Sequence, residues 1–437
     1  MGQDTQFGAG GTTIGESPQV NAAAEHSGTP PGDRAFRPDI QGLRALAVAL
    51  VVLNHARVQI FSGGYVGVDV FFVISGYVIT GLLLRERSKT GKTSLLRFYA
   101  RRARRILPAS TIVIVGTLVA GFHYLGFLSG GEIASDAQAA ALFVANFHFI
   151  ALGTNYATAQ SPPSPLQHFW SLAVEEQFYF VYPALFLLAS SLRKTVPLRV
   201  KLTVGLILAA AASYAWSIHL TMTDGPAAYF SPFTRAWELA LGALVAVLEP
   251  HARHFPARLA AVITWAGLAG IIVAALTFNS TTAFPGWIAM LPVVSTALVI
   301  FLGTNTPRFG AEILLQQAPL QGLGAISYSL YLLHWPILTI YAEHAGKPPS
   351  IGTNLILVAI AIVLSTLCYL LMENPIRKSK WLGARPLISV LLIPICIGTS
   401  LLTVFTERQL NHLSMDRYRQ LQQYSVVLRN ANLDKGR

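Results

Sequence analysis

Charged residues are scarce in this chain of 437 residues: Asp, Glu, Lys and Arg make up 12% of it and apolar residues 53%. That is about half the charge of a soluble domain, and with a mean hydropathy of +0.51 it excludes a soluble enzyme. Cysteine is almost missing. Cys368 and Cys396 both sit inside apolar runs, so neither a disulfide framework nor a cysteine-built metal site is available. Residues 1–35 contain no apolar block of the kind a signal peptide needs and read as a disordered cytosolic leader, which makes the first membrane helix the targeting signal as well. There is no internal repeat.

What the chain has in abundance is apolar runs long enough to cross a bilayer. They lie near 39–57, 64–84, 106–126, 169–190, 202–221, 233–249, 259–277, 288–304, 324–343, 353–372 and 387–406, with a weaker twelfth candidate at 135–152. Charge decides the weak one. With 135–152 in the outer interface and the N-terminus inside, the cytosolic segments hold 22 Lys and Arg and the short outer loops two, Arg57 and Lys347. If 135–152 spans instead, the basic stretches 193–201 and 377–385 move outside, against the positive-inside rule. The expectation is an all-α polytopic membrane protein of about eleven transmembrane helices, N-terminus cytosolic and C-terminus exoplasmic. Its net charge of +12 then records orientation, and nucleic acid is not an expected partner. In the outer tail 407–437, Leu410, Leu413, Tyr418, Leu421 and Tyr424 suggest one short amphipathic helix.

Ionisable groups inside the bilayer cost several kcal/mol unless paired or set in a cavity, so they mark the chemistry. The first span carries Arg44 and His55. Eleven residues apart, they project from one helix face about 16 Å from each other along the axis. Asp69 enters the second span from outside at about the depth of His55, where a carboxylate could fix the imidazole tautomer; a carboxylate of the fourth span is the other candidate. Glu175 and Glu176 supply that pair, and because adjacent helical residues point about 100° apart, only one of them easily shares the site.

At the cytosolic end of the third span, Arg101, Arg102, Arg104 and Arg105 form two i,i+3 pairs suited to bidentate contact with phosphate, either of a soluble donor or of membrane lipid. His168 and Trp170 open the fourth span. Arg235 and Glu238 open the sixth and can pair with each other. Tyr328, Tyr331 and His334 recur every three residues on the ninth. These seven are taken as substrate-binding.

Five segments together resemble one family: Arg44-x10-His55, the run from Gly67 to Tyr77, the loop Arg97-Phe-Tyr-Ala-Arg-Arg-Ala-Arg-Arg-Ile-Leu-Pro108, Trp170-Ser-Leu-Ala-Val-Glu-Glu-Gln-Phe-Tyr179, and Ser327-Tyr-Ser-Leu-Tyr-Leu-Leu-His-Trp-Pro336. They are similar to the integral-membrane acyltransferase-three family, in its O-antigen and polysaccharide O-acetylase branch. The resemblance covers about residues 36–380. It implies a bacterial inner-membrane enzyme that moves an acyl group, probably acetyl, from cytosolic acyl-coenzyme A, used as substrate and not as a bound cofactor, to a hydroxyl of an extracytoplasmic glycan. By motif, His55 would be catalytic with Arg44, and the 101–105 arginines would face the donor. Residues 386–406 would add one more span. Some members continue into an exoplasmic SGNH-type hydrolase domain, for which 407–437 is too short. The residues themselves also allow a transporter or flippase with a His, Arg and Asp relay; binding of coenzyme A at the cytosolic face separates the two readings.

Overall fold

The computed structural model describes residues 36–154, 163–192, 195–305 and 309–434; the leader 1–35 and part of the outer turn around Pro162 lie outside them. Among the described residues every regular element is a helix. In chain order these are α1 (Pro38–His55), α2 (Gly67–Thr90), α3 (Leu95–Ala141), α4 (Ala145–Ala151), α5 (Phe169–Ser191), α6 (Leu198–Thr223), α7 (Gly225–Phe230), α8 (Pro232–Leu248), α9 (Ala257–Thr277), α10 (Met290–Leu302), α11 (Glu312–Leu315), α12 (Ala318–His344), α13 (Ile351–Cys368), α14 (Asn374–Lys378), α15 (Lys380–Ala384), α16 (Pro386–Val390) and α17 (Leu392–Asp434). Each of the eleven expected spans falls on these helices, with 387–406 shared between α16 and α17. Among the described residues, eight helices are long and apolar enough to cross a membrane. The other three expected spans differ for local reasons: α8 and α10 are short, at 17 and 13 residues, and α1 is diluted by Asp39, Gln41, Arg44, Asn54 and His55.

Side-chain caps set several helix starts. Ser94 accepts the Arg97 N–H at 3.3 Å, Ser231 that of Phe233 at 3.2 Å and Ser350 that of Thr353 at 3.1 Å, each satisfying a donor that the first turn leaves over. Between α2 and α8 the backbones touch. A methyl group on Gly76 would lie 1.9 Å from the Leu239 carbonyl oxygen, and one on Gly242 2.0 Å from that of Val73, so the two glycines allow an approach that no other residue permits.

Two segments stand apart from the spans, and the second differs from what was expected. The 135–152 stretch is not one helix: a non-helical, positive-φ Gly126 (φ 76°, ψ −175°) kinks α3 ahead of it, and the left-handed Phe143 separates the end of α3 from α4, leaving pieces too short to span. The short tail helix expected after residue 406 is instead the continuation of α17. No glycine or proline occurs between Gly398 and Gly436 to stop it. The 43 residues of α17 run about 65 Å, twice the hydrocarbon thickness.

The pairing that positions the site is between α1 and α12, which run parallel. Gln41 donates to the Gln321 carbonyl at 2.9 Å near one end, and His55 meets His334 at the other.

Candidate active site

His55, the last residue of α1, lies with its Nδ1 2.8 Å from Nε2 of the buried His334. The hydrogen-bond network assigns both tautomers. His334 Nδ1 is 2.9 Å from the Leu330 carbonyl, which can only accept, so in the neutral ring Nδ1 carries the proton and Nε2 the lone pair. His55 must then donate through Nδ1, and its own lone pair is on Nε2. Trp335 holds the ring from another side, its centroid 4.3 Å from that of His55 and its Nε1 donating to the Ser164 carbonyl at 2.8 Å. His168 donates through Nε2 to the Leu332 carbonyl at 3.0 Å and packs 5.9 Å from His334. Tyr331, 5.8 Å from His334 between ring centroids, is tied by its hydroxyl to Ser171 Oγ at 2.6 Å and to the His168 carbonyl at 3.1 Å.

Toward the other end of α1 a polar interior continues. Half-buried Arg44 has Arg105, Glu373, Glu175 and Tyr179 as its charged and phenolic neighbours. Glu175 accepts from Ser75 and Tyr179, which ties α5 to α2 and to its own next turn. The Arg102 guanidinium lies 4.4 Å over the Tyr179 ring, and Glu176 faces Arg102 and Arg105 with one carboxyl oxygen buried and without a hydrogen bond. Tyr328 donates to the Ile106 carbonyl at 2.9 Å.

The structure divides the expected residues into those it gathers and those it sets apart. Of the four arginines, 102 and 105 belong to this interior. Arg101 pairs with Glu86 at 3.0 Å and Arg104 reaches the backbone of Ala100 and Ser379, because residues one apart on a helix cannot face the same way. Asp69 does not orient His55. Its Oδ1 accepts from Arg235 at 2.9 Å, and Glu238 accepts from the same guanidinium nitrogen at 3.0 Å. Arg235 is enclosed by the rings of Trp170, Tyr229 and Phe284, and Arg235, Glu238 and Trp170 are at most 1% exposed. A cluster so enclosed offers nothing to a substrate; it locks α2 to α8. Glu175 is engaged by Ser75 and Tyr179 and Glu176 faces Arg102 and Arg105, whereas the His334 imidazole is what meets His55 Nδ1.

Glu373 was not among the expected residues. It ends a π-helical segment, Tyr369–Glu373, and accepts from Ser329 Oγ at 2.9 Å beside Arg44. Its signal was present as a carboxylate closing the tenth apolar run at Leu371-Met-Glu-Asn-Pro375. π-Helical turns concentrate at functional sites.

The chain is 32% identical over 358 residues to the peptidoglycan O-acetyltransferase OatA of Listeria monocytogenes, covering 80% of this chain and 57% of that protein. It is 31% identical over 352 residues to the O-acetyltransferase OatA of Staphylococcus aureus, with 78% and 57% coverage. The chain thus spans less than two thirds of the length of these relatives. No solved structure matches. The family model described as "Acyltransferase domain" matches residues 37–373, which takes in every residue named above from Arg44 to Glu373, and the chain therefore belongs to that membrane acyltransferase family.

Proposed function

We propose that the protein transfers an acetyl group from acetyl-coenzyme A at the cytosolic face to a hydroxyl of a peptidoglycan glycan strand at the outer face, with His55 as the general base. The observation that carries this is the chain His55 Nδ1 to His334 Nε2 to the Leu330 carbonyl, which directs the His55 lone pair to Nε2. The glycan, and peptidoglycan in particular, is suggested by what the relatives are named for.

In this reading eleven helices span, the N-terminus is cytosolic and the C-terminus outside. The phosphates of the nucleotide rest against Arg102 and Arg105, whose guanidinium groups are suited to bidentate contact. The pantetheine arm passes Arg44, which Glu373 and Glu175 hold in place, and covers the roughly 16 Å to His55. His55 Nε2 takes the proton of the acceptor hydroxyl as its oxygen attacks the thioester carbonyl; the carbon–sulfur bond breaks, and the same proton passes to the departing thiolate. Ester and free coenzyme A are the products. A covalent acyl-histidine would require attack by Nε2 itself, a second step this arrangement does not need.

The test is transfer in proteoliposomes, with acetyl-coenzyme A on the side of Arg102 and glycan strands on the other. Wild type should acetylate the strands, and His55→Ala should not while still binding coenzyme A. A folded His55→Ala protein that retains transfer overturns the reading.

A further inference from the structure

We propose that Arg57 recognises a carboxylate of the acceptor strand at the outer mouth of the site. This rests on the reading that the acceptor reaches His55 from outside.

The end of α1 is closed by paired backbone bonds, from Val58 N–H to the Leu53 carbonyl at 3.0 Å and from Arg57 N–H to that of Asn54 at 2.9 Å. This cap places Arg57 in the left-handed region, at φ 61°. Glycine usually fills that position, since a side chain there strains the backbone. Among the described residues only Arg57 and Phe143 carry a side chain at positive φ. Phe143 is explained by its surroundings: its ring packs against the core, and its carbonyl accepts from Gln177 at 2.9 Å. Arg57 has no such account, being exposed and making no side-chain hydrogen bond or ion pair with any described residue.

Nor does the turn depend on it. Asn54 Nδ2 donates to the carbonyls of Phe61 at 3.2 Å and Ser62 at 2.7 Å, and Asn354 to that of Ala56 at 3.0 Å. Neighbours of this kind are what hold a strained residue in place. A glycine would keep the same turn at lower cost, so the guanidinium is there for what it reaches. It stands two residues past His55, and the only other basic residue in the short outer loops is Lys347. A planar guanidinium matches a carboxylate with two parallel hydrogen bonds. Peptidoglycan strands present carboxylates on their lactyl groups or stem peptides.

The experiment uses the full chain in phosphatidylcholine nanodiscs, acetyl-coenzyme A as donor, and two acceptors: soluble glycan strands with free carboxylates and the same strands amidated with carbodiimide. In Arg57→Gly the thermal midpoint should be no lower than in wild type, since glycine relieves the backbone. Its kcat/KM for the free-carboxylate strands should fall about tenfold to hundredfold, mainly through the acceptor KM. The ratio of free to amidated strands, well above one in wild type, should collapse toward one, and Arg57→Lys should fall between. Equal kcat/KM in wild type and Arg57→Gly on the free strands overturns the proposal. So does a loss of the same size on both strands, which would make Arg57 a lipid-phosphate anchor, and so does failure of wild type to accept either strand. Transfer by His55→Ala would instead refute the catalytic reading.

Discussion

The imidazoles of His55 and His334 meet at 2.8 Å across two helices that run side by side, although 279 residues of chain separate them. Because the far nitrogen of His334 donates to the Leu330 carbonyl, this contact is directional: it makes His55 a donor at one nitrogen and a base at the other.

If His334 acts by fixing that tautomer, His334→Phe should lower kcat by about 10²-fold or more, leaving coenzyme A affinity intact. His334→Gln, which can still accept from His55 Nδ1, should recover part of the loss. Single-turnover transfer by the two variants decides it. Equal loss in both would show that the ring serves packing alone.

Arg102→Ala and Arg105→Ala should each weaken coenzyme A binding about tenfold or more, as loss of a charge-assisted phosphate contact does. Arg101→Ala should change it little. Its side chain is 40% exposed and paired with Glu86, away from the interior that holds Arg102 and Arg105. Calorimetric titration of the three single variants would show whether the cluster divides in this way.

Arg235→Ala leaves the buried carboxylates of Asp69 and Glu238 without their cation and should destabilise the protein by about 3–5 kcal/mol. Adding Asp69→Asn and Glu238→Gln should restore part of it. Thermal unfolding in detergent reads the first effect, and transfer per mole of folded protein should remain near wild type in the triple variant.

For topology, cysteines placed at Thr90 and Ser379 should label only from the cytosolic side, and one at Gln420 only from outside, as the excess of basic residues in the cytosolic segments requires. Outside labelling at Ser379 would reverse the later half of the bundle.

The helices were legible because apolar length and loop charge are local properties, and all eleven segments lie on helices of the structure. The residues of the site were legible as polar intrusions into apolar runs, and His55, Arg44 and His334 were found that way. Their pairing was not. Asp69 and His55 lie at one end of a hairpin, but chain proximity says nothing about helix rotation, and the Asp69 side chain faces α8 while His55 faces α12. The i,i+3 spacing of the arginines likewise gave two faces without showing which of them turns inward. Glu373 was passed over because a carboxylate at the end of an apolar run reads as the boundary of that run.

The distance along the chain between His55 and His334 bears on biosynthesis. Helix α1 precedes α12 in the chain by most of the bundle, so the contact that fixes the His55 tautomer is made only after the intervening helices have been synthesised. A nascent chain halted before α12 already contains Arg102 and Arg105 but lacks the contact that orients His55. Under the proposed mechanism, reactivity toward the thioester donor is thereby tied to completion of the bundle.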